Sequence, residues 1–171
     1  IYVNIIDYKS SRKDIDLSDA VQGLQLQLLV YMSAIIKNGE KLFMNKPEIA
    51  GAYYFSIDDP MINGDEITFE DSENEIFRQL SLKGYVVEDA DVIINMDNDI
   101  ENIKKSDVIP VVLNKDGSTS KSSKTLTLKE FKSILNKADE VARNLAARML
   151  DGSIDIMPYR KDNGSTPCSY C

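Results

Sequence analysis

An α/β domain, one central mixed sheet flanked by helices, is the fold class that these 171 residues predict. Three observations lead there: a period-two run at the start of the chain, a second β-rich run closed by Asp59-Pro60, and two stretches patterned at helical spacing, the later of which opens on a capping box. A hydrophobic content of 43% is enough to bury one core, and no internal repeat divides the chain, so a single main domain is expected.

Ile1 to Lys9 is expected to be a strand, because Val3, Ile5, Asp7 and Lys9 fall on one pleat face and Tyr2, Asn4, Ile6 and Tyr8 on the other. Ser10 to Asp16 then reads as a polar loop. From Leu17 to Lys37 the positions Ala20, Val21, Leu24, Leu28, Met32 and Ile35 keep helical spacing, and Asn38-Gly39 suits a left-handed cap. Glu48 to Asp58 holds the β-formers Ile49, Tyr53, Tyr54, Phe55 and Ile57, which predict a second strand. Ser72 and Glu75 have capping-box spacing and predict a short helix anchored by Ile76, Phe77 and Leu80 and closed by Gly84. Val92 to Met96 is a further short element. Val108 to Leu113 and Lys124 to Leu126 flank the turn signal Asn114-Lys115-Asp116-Gly117, which predicts a loose hairpin; Lys115, Lys121 and Lys124 could touch a phosphate backbone but read first as its solvated tip. Thr127 and Glu130 repeat the capping-box spacing, and Leu128, Phe131, Leu135, Ala138, Val141, Leu145 and Met149 draw one apolar stripe along a helix to Gly152.

Composition removes several chemistries. The chain has no histidine, which excludes Ser-His-Asp and Cys-His nucleophile activation and every zinc site that uses histidine. Catalysis must come from carboxylates, lysine or cysteine. A net charge of −8 opposes non-specific adhesion to polyphosphate, although a metal-dependent site concentrates carboxylates by itself. Leu24 to Ile36 is interrupted by Gln25, Gln27, Tyr31 and Ser33, too short and too polar to cross a bilayer. Ile1-Tyr2-Val3-Asn4-Ile5-Ile6 does not read as a signal peptide; it reads as a cut inside a larger, cytoplasmic protein. Gly117-Ser118-Thr119-Ser120-Lys121 lacks the spacing of a phosphate-binding loop, so no ATP site is expected in this segment.

The candidate chemistry begins at Asp7-Tyr8-Lys9. Asp7 and Lys9 are two residues apart and share a strand face, where a carboxylate can hold Mg²⁺ while the ammonium orients the attacking water and offsets phosphate charge. Asp-x-Lys alone is also a common solvated strand end. Gln27 and Tyr31, one turn apart on the helix that follows, add an amide and a phenol; Ala20, Gly23 and Ala34 on the same side would let that helix approach the sheet.

Ile5-Ile6-Asp7-Tyr8-Lys9-Ser10-Ser11, followed by Gly23-Leu24-Gln25-Leu26-Gln27-Leu28-Leu29-Val30-Tyr31, resembles the RecB-type signature of PD-(D/E)XK nucleases, DYKS and then Q-x-x-x-Y. The Gly-Leu-Gln-Leu-Gln run, Ala50-Gly51-Ala52-Tyr53-Tyr54-Phe55 and the closing Pro158-Tyr159 with Cys168-x-x-Cys171 narrow the likeness to the AddB branch of that family. The resemblance implies a restriction-endonuclease-like core over residues 1–156, incomplete on its N-terminal side, and a truncated cysteine tail over 157–171. It implies Asp7 and the Tyr8 backbone carbonyl as ligands of Mg²⁺, Lys9 as the catalytic lysine, and Gln27 with Tyr31 as its supports. Cys168 and Cys171 would be two of four ligands of a [4Fe-4S] cluster, whereas Cys-x-x-Cys by itself also serves zinc and redox sites. The implied substrate is DNA and the implied partner an AddA-like helicase/nuclease subunit, in an ATP-dependent exonuclease of double-strand break repair and recombination. A second acidic metal ligand is expected upstream of Ile1, so the isolated chain should show little activity. The competing readings are a degenerate nuclease fold that only guides DNA or docks a subunit, and another RecB-like nuclease with cysteines near its end.

Overall fold

The protein is described here by a computed structural model that covers residues 1–58, 68–156, 158–161, 164, 166 and 167. The first strand, β1 (Tyr2–Lys9), alternates exposed and half-buried residues as the period-two pattern predicts. It leads through a loop to α1 (Leu17–Val21), α2 (Gln27–Asn38) and α3 (Glu40–Phe43), and then to β2 (Glu48–Ser56), which lies parallel to β1. After α4 (Phe69–Gln79) comes β3 (Lys83–Val87), antiparallel to β2; then α5 (Ala90–Met96), α6 (Ile100–Ile103) and β4 (Thr125–Leu126), which runs parallel to β3. The chain then enters α7 (Leu128–Leu150). Sheet order is β1-β2-β3-β4, a mixed sheet as expected, with β1 at an edge among the described residues.

Two layers cover the sheet. Leu28, Leu29 and Met32 of α2 pack with Phe131, Leu135 and Ala138 of α7, and all six are buried. Because neighbouring strand residues point oppositely, Tyr54 faces α2 while Tyr53 faces α5. The Tyr53 hydroxyl donates to Met96 Sδ at 3.5 Å, and burial raises its pKa well above the ordinary tyrosine value. The α5 layer stops short of the edge: on that side of β1, Tyr2, Ile6 and Tyr8 remain exposed.

Several expected elements are corrected. The helix expected over Leu17 to Lys37 is two helices. Gly23 has φ of +91°, and its N–H bonds Ala20 O while Leu24 N–H bonds Asp19 O, the paired bonds of a Schellman cap that ends α1. Gln25, also left-handed with φ of +53°, completes the knee before α2. The small residues therefore do not press one helix onto the sheet: Gly23 faces Leu145 and Val141 of α7, and Ala34 is exposed. Gly39 has φ of −69° and passes α2 directly into α3; the left-handed residue is Met44.

The N-cap of α4 is Thr68, so Ser72 and Glu75 sit inside the helix, and Phe77 is exposed instead of anchoring it. Gly84 belongs to β3, a strand the sequence pattern did not reveal. A Cβ there would stand 2.1 Å from Ala52 O, so glycine is what allows β2 and β3 to approach. The loose hairpin over 108–126 forms only in part: Leu113 bridges Thr119 in antiparallel sense and Lys124 N–H bonds Pro110 O at 2.9 Å, whereas Thr125 and Leu126 pair with β3. The turn itself holds: Gly117 N–H bonds Asn114 O with Gly117 at φ of +86°. The capping box of Thr127 and Glu130 opens α7 as expected, but the apolar stripe is core only in its first half. Leu145 is part-exposed and Met149 is 79% exposed.

Candidate active site

The α1–α2 knee decides how the site is assembled. By ending α1 and restarting the chain at Gln27, it places that residue in the first turn of α2, facing the C-terminal end of β1. Lys9 Nζ donates to Gln27 Oε1 at 3.1 Å, and Gln27 Nε2 makes a long 3.4 Å contact with the Tyr31 hydroxyl. Lys9 Nζ also lies 2.5 Å from Asp7 Oδ2, with the two side chains 25% and 19% exposed. The structure thus brings Asp7, Lys9, Gln27 and Tyr31 into one chain of contacts on the sheet face that α2 covers.

The electrostatics follow from this contact. The Asp7 carboxylate, by its close contact and then by its charge, holds Lys9 above the ordinary lysine pKa against an opposing desolvation; Tyr54 and Tyr31 act in the same direction as Asp7. Lys9 is therefore an ammonium at neutral pH in this arrangement. Asp7 Oδ2 is buried, and although ion-paired to Lys9 it makes no well-directed hydrogen bond. Beyond its contact with the Lys9 ammonium, this buried carboxylate oxygen keeps lone pairs that a metal ion could use.

Backbone geometry supplies a second oxygen. Lys9 O accepts from Ile57 N–H on the β2 side, so the carbonyl of Tyr8, the preceding residue, points to the open edge of β1. Asp7 Oδ2 and this carbonyl are hard oxygen donors of the kind Mg²⁺ takes, so the residues fit that ion in type. Among the described residues no group of three or more Cys, Asp and Glu side chains could hold a metal, so these two donors are only part of a coordination shell. Cys168 and Cys171 lie outside the described residues.

Two residues join the site that sequence pattern did not single out. Tyr54 pairs with Asp7 across the strands, and its ring carries Lys9 Nζ at 5.2 Å from the centroid. Burial raises the Tyr54 pKa, while the Lys9 charge opposes the rise. Ser56 pairs with Lys9, is buried, and its hydroxyl donates to Ser11 O at 3.3 Å, pinning the start of the loop after β1. Only strand register reveals either, since both lie more than forty positions from Asp7.

The segment after α7 also reaches this region. Lys161 pairs with Asp19 at 2.6 Å and Asp16 at 3.4 Å, joining the tail to the start of α1. Asp16 caps α1; the Ser18 hydroxyl, with the Asp19 and Ser18 amides and Lys161, holds its carboxyl down at about 2 against desolvation.

Comparison with known proteins matches residues 2–171 to the PD-(D/E)XK nuclease superfamily. The chain is 41% identical over 170 residues to the B subunit of the ATP-dependent helicase/deoxyribonuclease of Alkaliphilus metalliredigens, covering 99% of this chain and 14% of that protein. It is 44% identical over 173 residues to the protein of the same name from Caldanaerobacter subterraneus, covering 99% and 14%. With the Clostridium tetani protein of that name it shares 44% identity over 171 residues, covering 99% and 15%.

Proposed function

The chain belongs to the PD-(D/E)XK nuclease superfamily, and from that premise we propose that it is the nuclease portion of a longer protein that hydrolyses DNA phosphodiester bonds. The chain spans about one seventh of the length of its curated relatives, which are named as helicase/deoxyribonuclease subunits. On this reading the parent works as an exonuclease beside an AddA-like helicase/nuclease subunit, in ATP-dependent processing of double-strand breaks for repair and recombination. The observation that carries the proposal is the continuous contact from Asp7 through Lys9 to Gln27 and Tyr31.

Asp7 and the Tyr8 carbonyl are the ligands this chain would offer to Mg²⁺, and a bound ion would supply charge neutralisation on the scissile phosphate and acidify its water. Lys9, held as an ammonium, presents positive charge where the phosphoryl oxygens gain negative charge. Gln27 fixes that ammonium by accepting a hydrogen bond from it, and Tyr31 fixes the amide. Tyr54 supports Lys9 from below, excluding water from one side of it. Residues 1–156 would form the nuclease part, and 157–171 the start of a tail whose Cys168 and Cys171 ligate half of a [4Fe-4S] cluster.

The proposal is tested by single-turnover cleavage of single-stranded DNA with Mg²⁺ and the full-length protein in its complex, the partner subunit's own nuclease having been inactivated. Lys9→Ala should lower the rate by roughly a hundredfold or more while DNA unwinding is retained. Unchanged cleavage in Lys9→Ala and Asp7→Ala would leave a DNA-guiding or subunit-docking module in place of a nuclease.

A further inference from the structure

Away from Asp7, a cavity of about 280 Å³ beside β3 gathers positive charge in this acidic chain. Its lining includes Lys83, Lys105 and Lys124, the hydroxyl-bearing Ser81 and Ser122 and, among the described residues, a single carboxylate, Asp14. Three ammonium groups around one cavity stand out in a protein of net charge −8. Lys124 is ion-paired to Asp14 and lies 5.9 Å from the Tyr85 ring centroid; Lys83 donates to Ser81 Oγ at 2.6 Å. Lys105 is exposed, and its side chain has no hydrogen-bond or ion-pair partner among the described residues. After Asp14 is paired, the cavity keeps a positive excess.

Its position relates it to the candidate active site. Asp7 pairs with Tyr54 and Tyr54 with Lys83, so the three form one row across the sheet and leave the same face. With strands about 4.8 Å apart, Lys83 stands roughly 10 Å from Asp7 along that row. The loop after Lys9 carries Arg12 and Asp14 toward the same place. Burial lowers the Lys83 pKa; Asp14 opposes this, whereas the charges of Arg12, Lys124 and Lys105 add to it, as expected where cations crowd without enough anions.

We propose that this cavity binds backbone phosphate of the DNA strand, neighbouring the phosphate held at Asp7 and Lys9, and so sets the path of the strand across the sheet. The inference rests on the nuclease reading above and names the part of the molecule that grips substrate away from the reacting bond. Three lysines suit phosphate recognition without sequence preference, since each offers a point charge and adaptable donors.

The test uses the full-length protein in its complex, with cleavage of a single-stranded oligonucleotide followed across DNA and salt concentrations. K83Q/K105Q/K124Q should raise KM about tenfold and flatten the dependence of log KM on log salt by about 1 to 2, with kcat largely retained. K83R/K105R/K124R, which keeps the charge, should return KM toward the parental value. Lys105→Glu, a change at an exposed and unpaired side chain, should raise KM alone and thereby separates charge from folding. A fall in kcat at unchanged KM in these variants would overturn the proposal in favour of a structural role. Unmoved KM and salt slope with weakened assembly of the complex would assign the cavity to an acidic protein surface instead. Loss of cleavage in Lys9→Ala with no effect of the lysine variants would sink this inference and leave the nuclease reading standing; cleavage that survives Lys9→Ala would remove both.

Discussion

At the level of single residues, Lys9 is held from three sides, by Asp7, Gln27 and the Tyr54 ring, and each support can be removed separately. Gln27→Ala leaves the ammonium and its charge but frees its direction, so cleavage by the full complex should fall by about tenfold, less than for Lys9→Ala. Rapid-quench measurement at saturating DNA distinguishes the two; equal losses would mean that Gln27 does more than position Lys9. Asp16 gives a pH prediction of defined sign. Its carboxyl is lowered from 3.8 to about 2, so its stabilisation is complete above pH about 4 and is lost as the pH falls through the folded value of about 2. Asp16→Ala should cost about 1 kcal/mol at neutral pH, and thermal melts should show that difference shrinking below pH 4.

The elements are joined where backbone demands a particular residue. Gly84→Ala would drive a methyl group into the Ala52 carbonyl and should destabilise the chain by about 2–3 kcal/mol, read from urea unfolding. Little change would mean that β3 can slide away from β2 without loss. At the α1–α2 knee, Gly23→Ala must hold φ of +91° and meet Leu145 Cδ1 at 3.0 Å. The knee carries Gln27, so this variant should lower cleavage as well as stability. Helical periodicity runs through Leu17 to Lys37 because both helices bury one stripe against the same core; only Gly23 signalled the break, and it reads equally as a small residue inside a packed helix. By contrast, the Thr127–Glu130 box was legible because capping is a local exchange of hydrogen bonds over three residues.

For the molecule as a whole, the site lies on an edge strand and carries one carboxylate among the described residues, where a divalent ion needs more. The isolated chain should therefore show little Mg²⁺-dependent cleavage compared with the full-length protein, and with two cysteines it should hold no stable cluster. Iron and sulfide near four per chain after anaerobic purification would contradict the second expectation. What the sequence by itself determined is the α/β class, the two strands of the parallel pair, the cap of α7, and the spacings that put Asp7 beside Lys9 on one strand and Gln27 beside Tyr31 on one helix. These rest on spacing within one strand or one helical turn, where neighbours in sequence are neighbours in space. What only the tertiary structure decided is the β3 strand and its Gly84, the place of Tyr54 under Lys9, and the gathering of Lys83, Lys105 and Lys124 around one cavity. Those depend on register between segments dozens of residues apart, and register is settled by burial against the common core, a quantity no local pattern contains.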